Sequence, residues 1–101
     1  MSTTRLSDHE IASRLDARSE WSQPGDEIQR TFRFGNFLLA MEFVGAIAAH
    51  AERVQHHPDI LIRYSRVTLS LSTHDAGGIT EKDFEFAAEA DRLASAVPAN
   101  A

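Results

Sequence analysis

Three histidines and two carboxylates stand at spacings suited to proton transfer. His56 and His57 are adjacent and run directly into Pro58, Glu52 precedes His56 by four residues, His74 lies further on, and Asp83 closes the set. Imidazole, with an ordinary pKa of about 6.5, can both give and take a proton at neutral pH. If a helix persists to His56, Glu52 shares its face and the carboxylate can orient or charge-stabilise that ring. The residue before a proline is pushed out of helical geometry, so His57 need not point about 100° away from His56, and both rings can face one pocket. The same pair also has a plain reading, because a helix C-terminus favours histidine electrostatically and proline is a common stop signal.

The elements that must position these groups are legible from hydropathy pattern. In "LSDHEIASRLDAR", Ser7 and Glu10 form a capping-box pattern with Leu6 and Ile11 at staple spacing, predicting a short helix over about 8–17. In "EWSQPGDEIQRTFRFG" a Pro24-Gly25 turn separates two segments, and Ile28, Arg30, Phe32 and Phe34 alternate with Gln29, Thr31 and Arg33, which predicts a two-stranded hairpin. From 36 to 55 the residues Phe37, Leu38, Met41, Val44, Ile47, Ala48, Ala51 and Val54 recur at three- and four-residue steps, predicting one apolar stripe along a helix of about 30 Å. "ILIRY" and "RVTLSLST" read as strands, the second with Val67, Leu69 and Leu71 on one face. After "GGIT", Thr80 with Asp83 repeats the capping box and predicts a last helix over about 81–96. The expected order is α-β-β-α-β-β-α: a two-layer α+β domain with a four-stranded antiparallel sheet and three helices on its apolar face.

Composition narrows the function classes. A chain of 101 residues, 43% hydrophobic and 25% charged, has the make-up of one globular domain, 1–101. So short a chain has little stability in surplus, which makes an oligomer expected. The net charge of −5 is dispersed and its ten cations form no basic block, arguing against a nucleic-acid surface. Without cysteine there is no disulfide, thiol nucleophile or thiolate metal site. No apolar run has signal-peptide or membrane-span length, so the default location is the cytoplasm.

Spelled out, Glu52, three residues, His56-His57-Pro58, five residues, Tyr64, nine residues, His74, eight residues and Asp83 resembles the signature of the pterin-4a-carbinolamine dehydratases. "RTFRFGNF", "HHPDI", "RVTLSLSTHDAGGIT" and Trp21 are also similar to that family, so the resemblance spans nearly the whole chain. It implies the same α+β fold, and a reaction that eliminates water from a 4a-hydroxytetrahydropterin to give a quinonoid dihydropterin in tetrahydrobiopterin recycling, with neither metal nor redox cofactor. By position, His56, His57 and His74 match the family's active-site histidines, with Glu52 and Asp83 as its acidic positions. The expected division has His56, backed by Glu52, and His74 as the acid/base pair, while His57 grips the pterin. Gln55, Ser72, Thr73 and Asp75 match substrate-lining stretches, Asp83 both caps a helix and joins the site, and Trp21 could supply an aromatic wall. His9 and His50 match no motif position and read as surface or helix-face residues. The segment "DILIRY" lacks the aromatic that animal members carry there, which weakens any inference to animal-type assembly.

Two other classes remain in view. In animals the same fold doubles as a dimerisation partner of a homeodomain transcription factor, but a pure binding module has no use for the full histidine set. A zinc site on His56, His57 and His74 is disfavoured because the spacing fits no standard zinc signature. A homodimer or homotetramer is expected, self-associating through the sheet's polar face, the end of the long helix, or both.

Overall fold

The computed structural model describes residues 4–98, which form α1 (Asp8–Asp16), β1 (Ile28–Arg33), α2 (Phe37–Val54), β2 (Asp59–Arg63), β3 (Arg66–Leu71), a 3-10 turn (His74–Ala76) and α3 (Glu81–Ala96). Both predicted capping boxes are present. At α1 the Ser7 hydroxyl accepts from the Glu10 amide at 3.1 Å while the Glu10 carboxylate accepts from the Ser7 amide at 2.9 Å, and Thr80 with Asp83 does the same for α3. The long helix is capped by Asn36, whose side-chain oxygen accepts from the Leu39 amide at 2.9 Å. Such caps satisfy N–H groups that have no partner inside the first helical turn.

The sheet has three strands, in the order β1-β3-β2 with both pairings antiparallel, where four were expected. The missing strand survives as a single rung between Ser22 and Gln29, whose amides and carbonyls exchange hydrogen bonds at 2.9 Å. Pro24 cannot donate to a ladder and Gly25 takes a left-handed φ of 80°, so pairing stops in the direction of the turn. On the other side Trp21 is already drawn into a turn, its amide donating to the Arg18 carbonyl at 2.9 Å.

Register follows the predicted alternation. Ile28 opposes Leu71, and Phe32 opposes Val67, on a face that packs against Ile11 of α1, Phe43 and Ile47 of α2, and Phe84 and Phe86 of α3. Gln29 with Ser70 and Thr31 with Thr68 form the polar face, each pair joined by a side-chain hydrogen bond. Arg30 is the exception on the dry face. Its guanidinium lies 4.3 Å from the centre of the Phe32 ring and donates to Asp91 of α3 at 2.7 Å, so the charge is matched where burial would otherwise penalise it.

The stripe on α2 differs from the one predicted. The residues that enter the core are Leu39, Ala40, Phe43, Ile47 and Ala51, whereas Phe37, Leu38, Met41, Ala48 and Val54 are exposed. The helix is apolar on more than one face, and periodicity cannot say which face packs inward. Strand β2 is likewise uncovered. Ile60 and Ile62 stand on the helix side of the sheet yet remain 37% and 38% exposed, because the helical layer sits over β1 and β3.

Candidate active site

Three chain ends meet at one corner of the molecule: the end of α2, the end of β3 and the start of α3. The pairing of Asp59 with Ser70 brings the segment just before β2 alongside the segment just after β3. His56 and His57 are thereby carried toward Ser72, Thr73 and His74. A bridge between Thr73 and Gly78 closes the short loop that presents His74 and Asp75, and Gly77 at its end takes a φ of 74°, a left-handed conformation that glycine adopts without a side-chain clash. That loop delivers Thr80 and Asp83 beneath the histidines.

The result is a cleft of about 230 Å3 lined by Gln55, His56, His57, Ser72, Thr73, His74, Asp75 and Lys82. At its base Asp83 is 0% exposed. One carboxylate oxygen, Oδ2, accepts from the Thr80 amide at 2.8 Å and the Thr73 hydroxyl at 2.9 Å, while the Thr73 and Thr80 hydroxyls lie 2.7 Å apart. The other, Oδ1, meets His56 Nε2 at 2.6 Å. An ionised carboxylate only accepts, so Nε2 is the donor in this contact and Nδ1 is the ring nitrogen that Asp83 does not engage. One oxygen of the side chain thus serves the helix cap while the other meets His56.

Glu52 has a different partner from the one expected, His57 in place of His56. Helix α2 ends at Val54, and Gln55 adopts a left-handed φ of 54°, so His56 already lies outside the helix and the four-residue spacing from Glu52 no longer puts the two on one face. The Gln55 amide and the His56 amide both turn back to the Ala51 carbonyl, and the Gln55 side chain caps the Glu52 carbonyl at 2.7 Å. Glu52 instead meets His57 Nε2 at 2.5 Å, in the open, while Asp83 backs His56 from below. His74 sits across the cleft at the start of the 3-10 turn, and among the described residues no hydrogen bond fixes its ring.

Trp21 does not belong to this cleft. It is 4% exposed, packs edge-on to Phe32 with ring centres 5.9 Å apart, and donates Nε1–H to Asp91 at 3.0 Å. Asp91 also accepts from Arg18 and Arg30, so the indole serves a polar cluster on the far part of α3. The aromatic neighbour of the site is Phe86, with its ring 6.2 Å from that of His56. Its spacing of three from Asp83 puts both on one helical face, a signal the sequence carried. Lys82 and the hydroxyl of Thr80 were also missed as site groups, since both read as ordinary first-turn residues. Tyr64, part of the spaced signature, is exposed in the β2–β3 turn.

The family model described as pterin 4 alpha carbinolamine dehydratase matches residues 4–93. This chain belongs to the pterin-4a-carbinolamine dehydratase family. A Chloroflexus aurantiacus protein provisionally named a pterin-4-alpha-carbinolamine dehydratase is 56% identical over 89 residues, covering 88% of this chain and 96% of the relative. One from a Picosynechococcus species, with the same provisional name, is 50% identical over 90 residues, covering 89% and 98%. Among solved structures, a transcriptional coactivator/pterin dehydratase from Brucella melitensis superposes with a TM-score of 0.86 at 33% identity, over 90% of this chain and 99% of its own. A pterin dehydratase-like protein described as a RuBisCO assembly factor in the alpha-carboxysome matches at a TM-score of 0.64 and 29% identity, over 74% and 89%. The descriptions of these two structural neighbours thus go beyond catalysis. No described helix of this member is long and apolar enough to cross a membrane.

Proposed function

We propose that the protein is a 4a-hydroxytetrahydropterin dehydratase that releases quinonoid dihydropterin and water. The observation that carries this reading is the buried Asp83 carboxylate, tied on one oxygen by Thr73 and Thr80 and on the other to His56, beneath a cleft that His57 and His74 share. A pure interaction surface has no need of a buried carboxylate aimed at one imidazole.

The elimination breaks the C4a–OH bond. The hydroxyl departs as water after taking a proton, a ring N–H proton is lost, and that electron pair becomes the new double bond. One proton is delivered and one removed, so the residues act catalytically and no oxidant or reductant enters. His56, with Nδ1 directed by the Asp83 contact at Nε2, and His74 opposite it form the acid/base pair. His57, held by Glu52, grips the pterin edge together with Gln55, Ser72 and Asp75. The family's alternative role as a protein-interaction module remains a second reading supported by the exposed apolar residues of α2 and β2, and those surfaces also suit self-association.

The direct test supplies purified protein with 4a-hydroxypterin generated in situ by an aromatic amino-acid hydroxylase. Formation of quinonoid dihydropterin well above the spontaneous rate supports the assignment. A rate equal to the spontaneous one would remove it in favour of the interaction reading.

A further inference from the structure

A cavity of about 360 Å3 lies between the end of β1 and the last turns of α3. It is remote from the histidines: Asp83 stands at the start of α3, whereas Ser95, in the wall of this cavity, lies in the last turn, about 18 Å further along the helix. Volumes of roughly 300–1,000 Å3 are usual for small-molecule sites. Phe32, Phe34, Val97 and Pro98 supply apolar wall. Arg30, Arg33, Asp91 and Ser95 supply the polar groups.

The charges around this cavity do not cancel. Asp91 is the carboxylate in its wall, and both oxygens are engaged: Oδ1 accepts from Arg30 at 2.7 Å and from the Trp21 indole at 3.0 Å, and Oδ2 accepts from Arg18 at 3.1 Å. Two guanidinium groups thus share one carboxylate. Glu20 comes within 3.8 Å of Arg30, but its side chain is 71% exposed, where solvent screens the attraction. Arg30 Nε is buried and has no hydrogen-bond partner among the described residues. Arg33 adds a third cation. Its neighbour across the sheet is Arg66, whose other neighbour is Arg63, and like charges directly opposite one another repel. Among the described residues no carboxylate pairs with any of these three. The Arg33 backbone adds a donor. Gln29 exchanges both of its hydrogen bonds with Ser22 on the outer side of β1, and the alternation of an antiparallel strand directs the amides of Thr31 and Arg33 to that same side, past the point where pairing stops.

We propose that this cavity is a second ligand site, separate from the histidine cleft, for a small carboxylate carried on an apolar body of aromatic size. The carboxylate meets the Arg33 guanidinium and amide with Arg30 behind them, a charge-assisted pairing that also relieves the repulsion along the arginine row, while the body packs on Phe34, Val97 and Pro98. The arginines exclude a cation, and inorganic phosphate would leave the apolar walls facing water. The site does not rest on the pterin reading.

The test titrates isotope-labelled protein with 3-phenylpropionate, with the corresponding alcohol 3-phenyl-1-propanol and with inorganic phosphate, and follows backbone amides by NMR. The acid should move the amides of Arg33, Phe34, Ala94, Ser95 and Val97 and leave those of His57 and His74 in place. It should bind about tenfold tighter than the alcohol, as one charge-assisted hydrogen bond provides, and phosphate should bind more weakly than the acid. Arg33→Gln, at an exposed position, should bring acid and alcohol to within about twofold of each other. Ser95→Trp, which fills the cavity from its exposed rim, should abolish the shifts with both. Equal affinities for acid and alcohol, a preference that survives Arg33→Gln, or shifts that survive Ser95→Trp would overturn the site. So would the absence of any shift at millimolar acid, or shifts centred on His57 and His74. Phosphate binding as tightly as the acid would overturn the assigned ligand class.

Discussion

At the scale of single residues, the three histidines differ in what stands behind each ring. His56 has a buried carboxylate at 2.6 Å, His57 an exposed one at 2.5 Å, and His74 no hydrogen-bonded partner among the described residues. Under the proposed mechanism, His56→Ala and His74→Ala should lower kcat by about 10² to 10⁴, the usual value of a positioned acid or base. His57→Ala should act more on KM, since it removes binding common to ground and transition states. Steady-state rates corrected for spontaneous dehydration check both. Asp83→Asn is the sharper probe. The amide oxygen can still accept from Thr80 and Thr73, but the amide nitrogen then presents a donor to His56 Nε2, reversing the ring's tautomer. We expect kcat to fall by about 10² or more with thermal stability largely kept, as tautomer reversal does in hydrolase triads. Activity within twofold of wild type in Asp83→Asn would show that this contact only caps the helix.

At the scale of elements, the helix starts and the Asp91 cluster gather hydrogen bonds whose loss can be measured. Replacing Asn36 by Ala should cost about 1 kcal/mol through loss of the α2 cap, measurable by urea denaturation. Asp91→Ala strands Arg18, Arg30 and the Trp21 indole at once and should cost about 2 to 3 kcal/mol, read by the same measurement, while the histidine cleft keeps its geometry. The α1 box adds a pH signature. Hydrogen bonds from Ser7, backbone first and then side chain, hold the Glu10 carboxyl below its ordinary 4.5. A carboxyl lowered on folding stabilises above its unfolded value and loses that contribution as pH falls through its folded value. The stability difference between wild type and Glu10→Ala should therefore be full at pH 6 and shrink as pH falls below about 4.5, followed by thermal melts across that range.

At the scale of the whole molecule, two apolar surfaces lack cover among the described residues. One is β2, an edge strand whose Ile60, Leu61 and Ile62 are all exposed, and the other is the outer face of α2, where Leu38 is 73% exposed. An edge strand with apolar side chains is a ready template for pairing with another chain. Light scattering at micromolar concentration should report at least a dimer, and Leu38→Glu or Leu61→Lys should each shift the population toward the 11.2 kDa monomer. A monomer in the unaltered protein would leave these surfaces to a different partner.

Local patterns by themselves determined the helices, the alternation along β1 and β3, both capping boxes and the spaced histidine set, because each depends on residues within a few positions of one another. Tertiary structure decided the rest. The fourth strand shrank to one rung because a proline without N–H and an indole drawn to Asp91 left no ladder to extend. The inward face of α2 was settled by the space left by the sheet and α3, since the helix is apolar on more than one side. Glu52 passed from His56 to His57 because a left-handed Gln55 ended the helix before helical spacing could apply. Asp83 reached His56 across 27 positions of chain, a contact that only the register of β2 on β3 and the loop through Gly77 bring about.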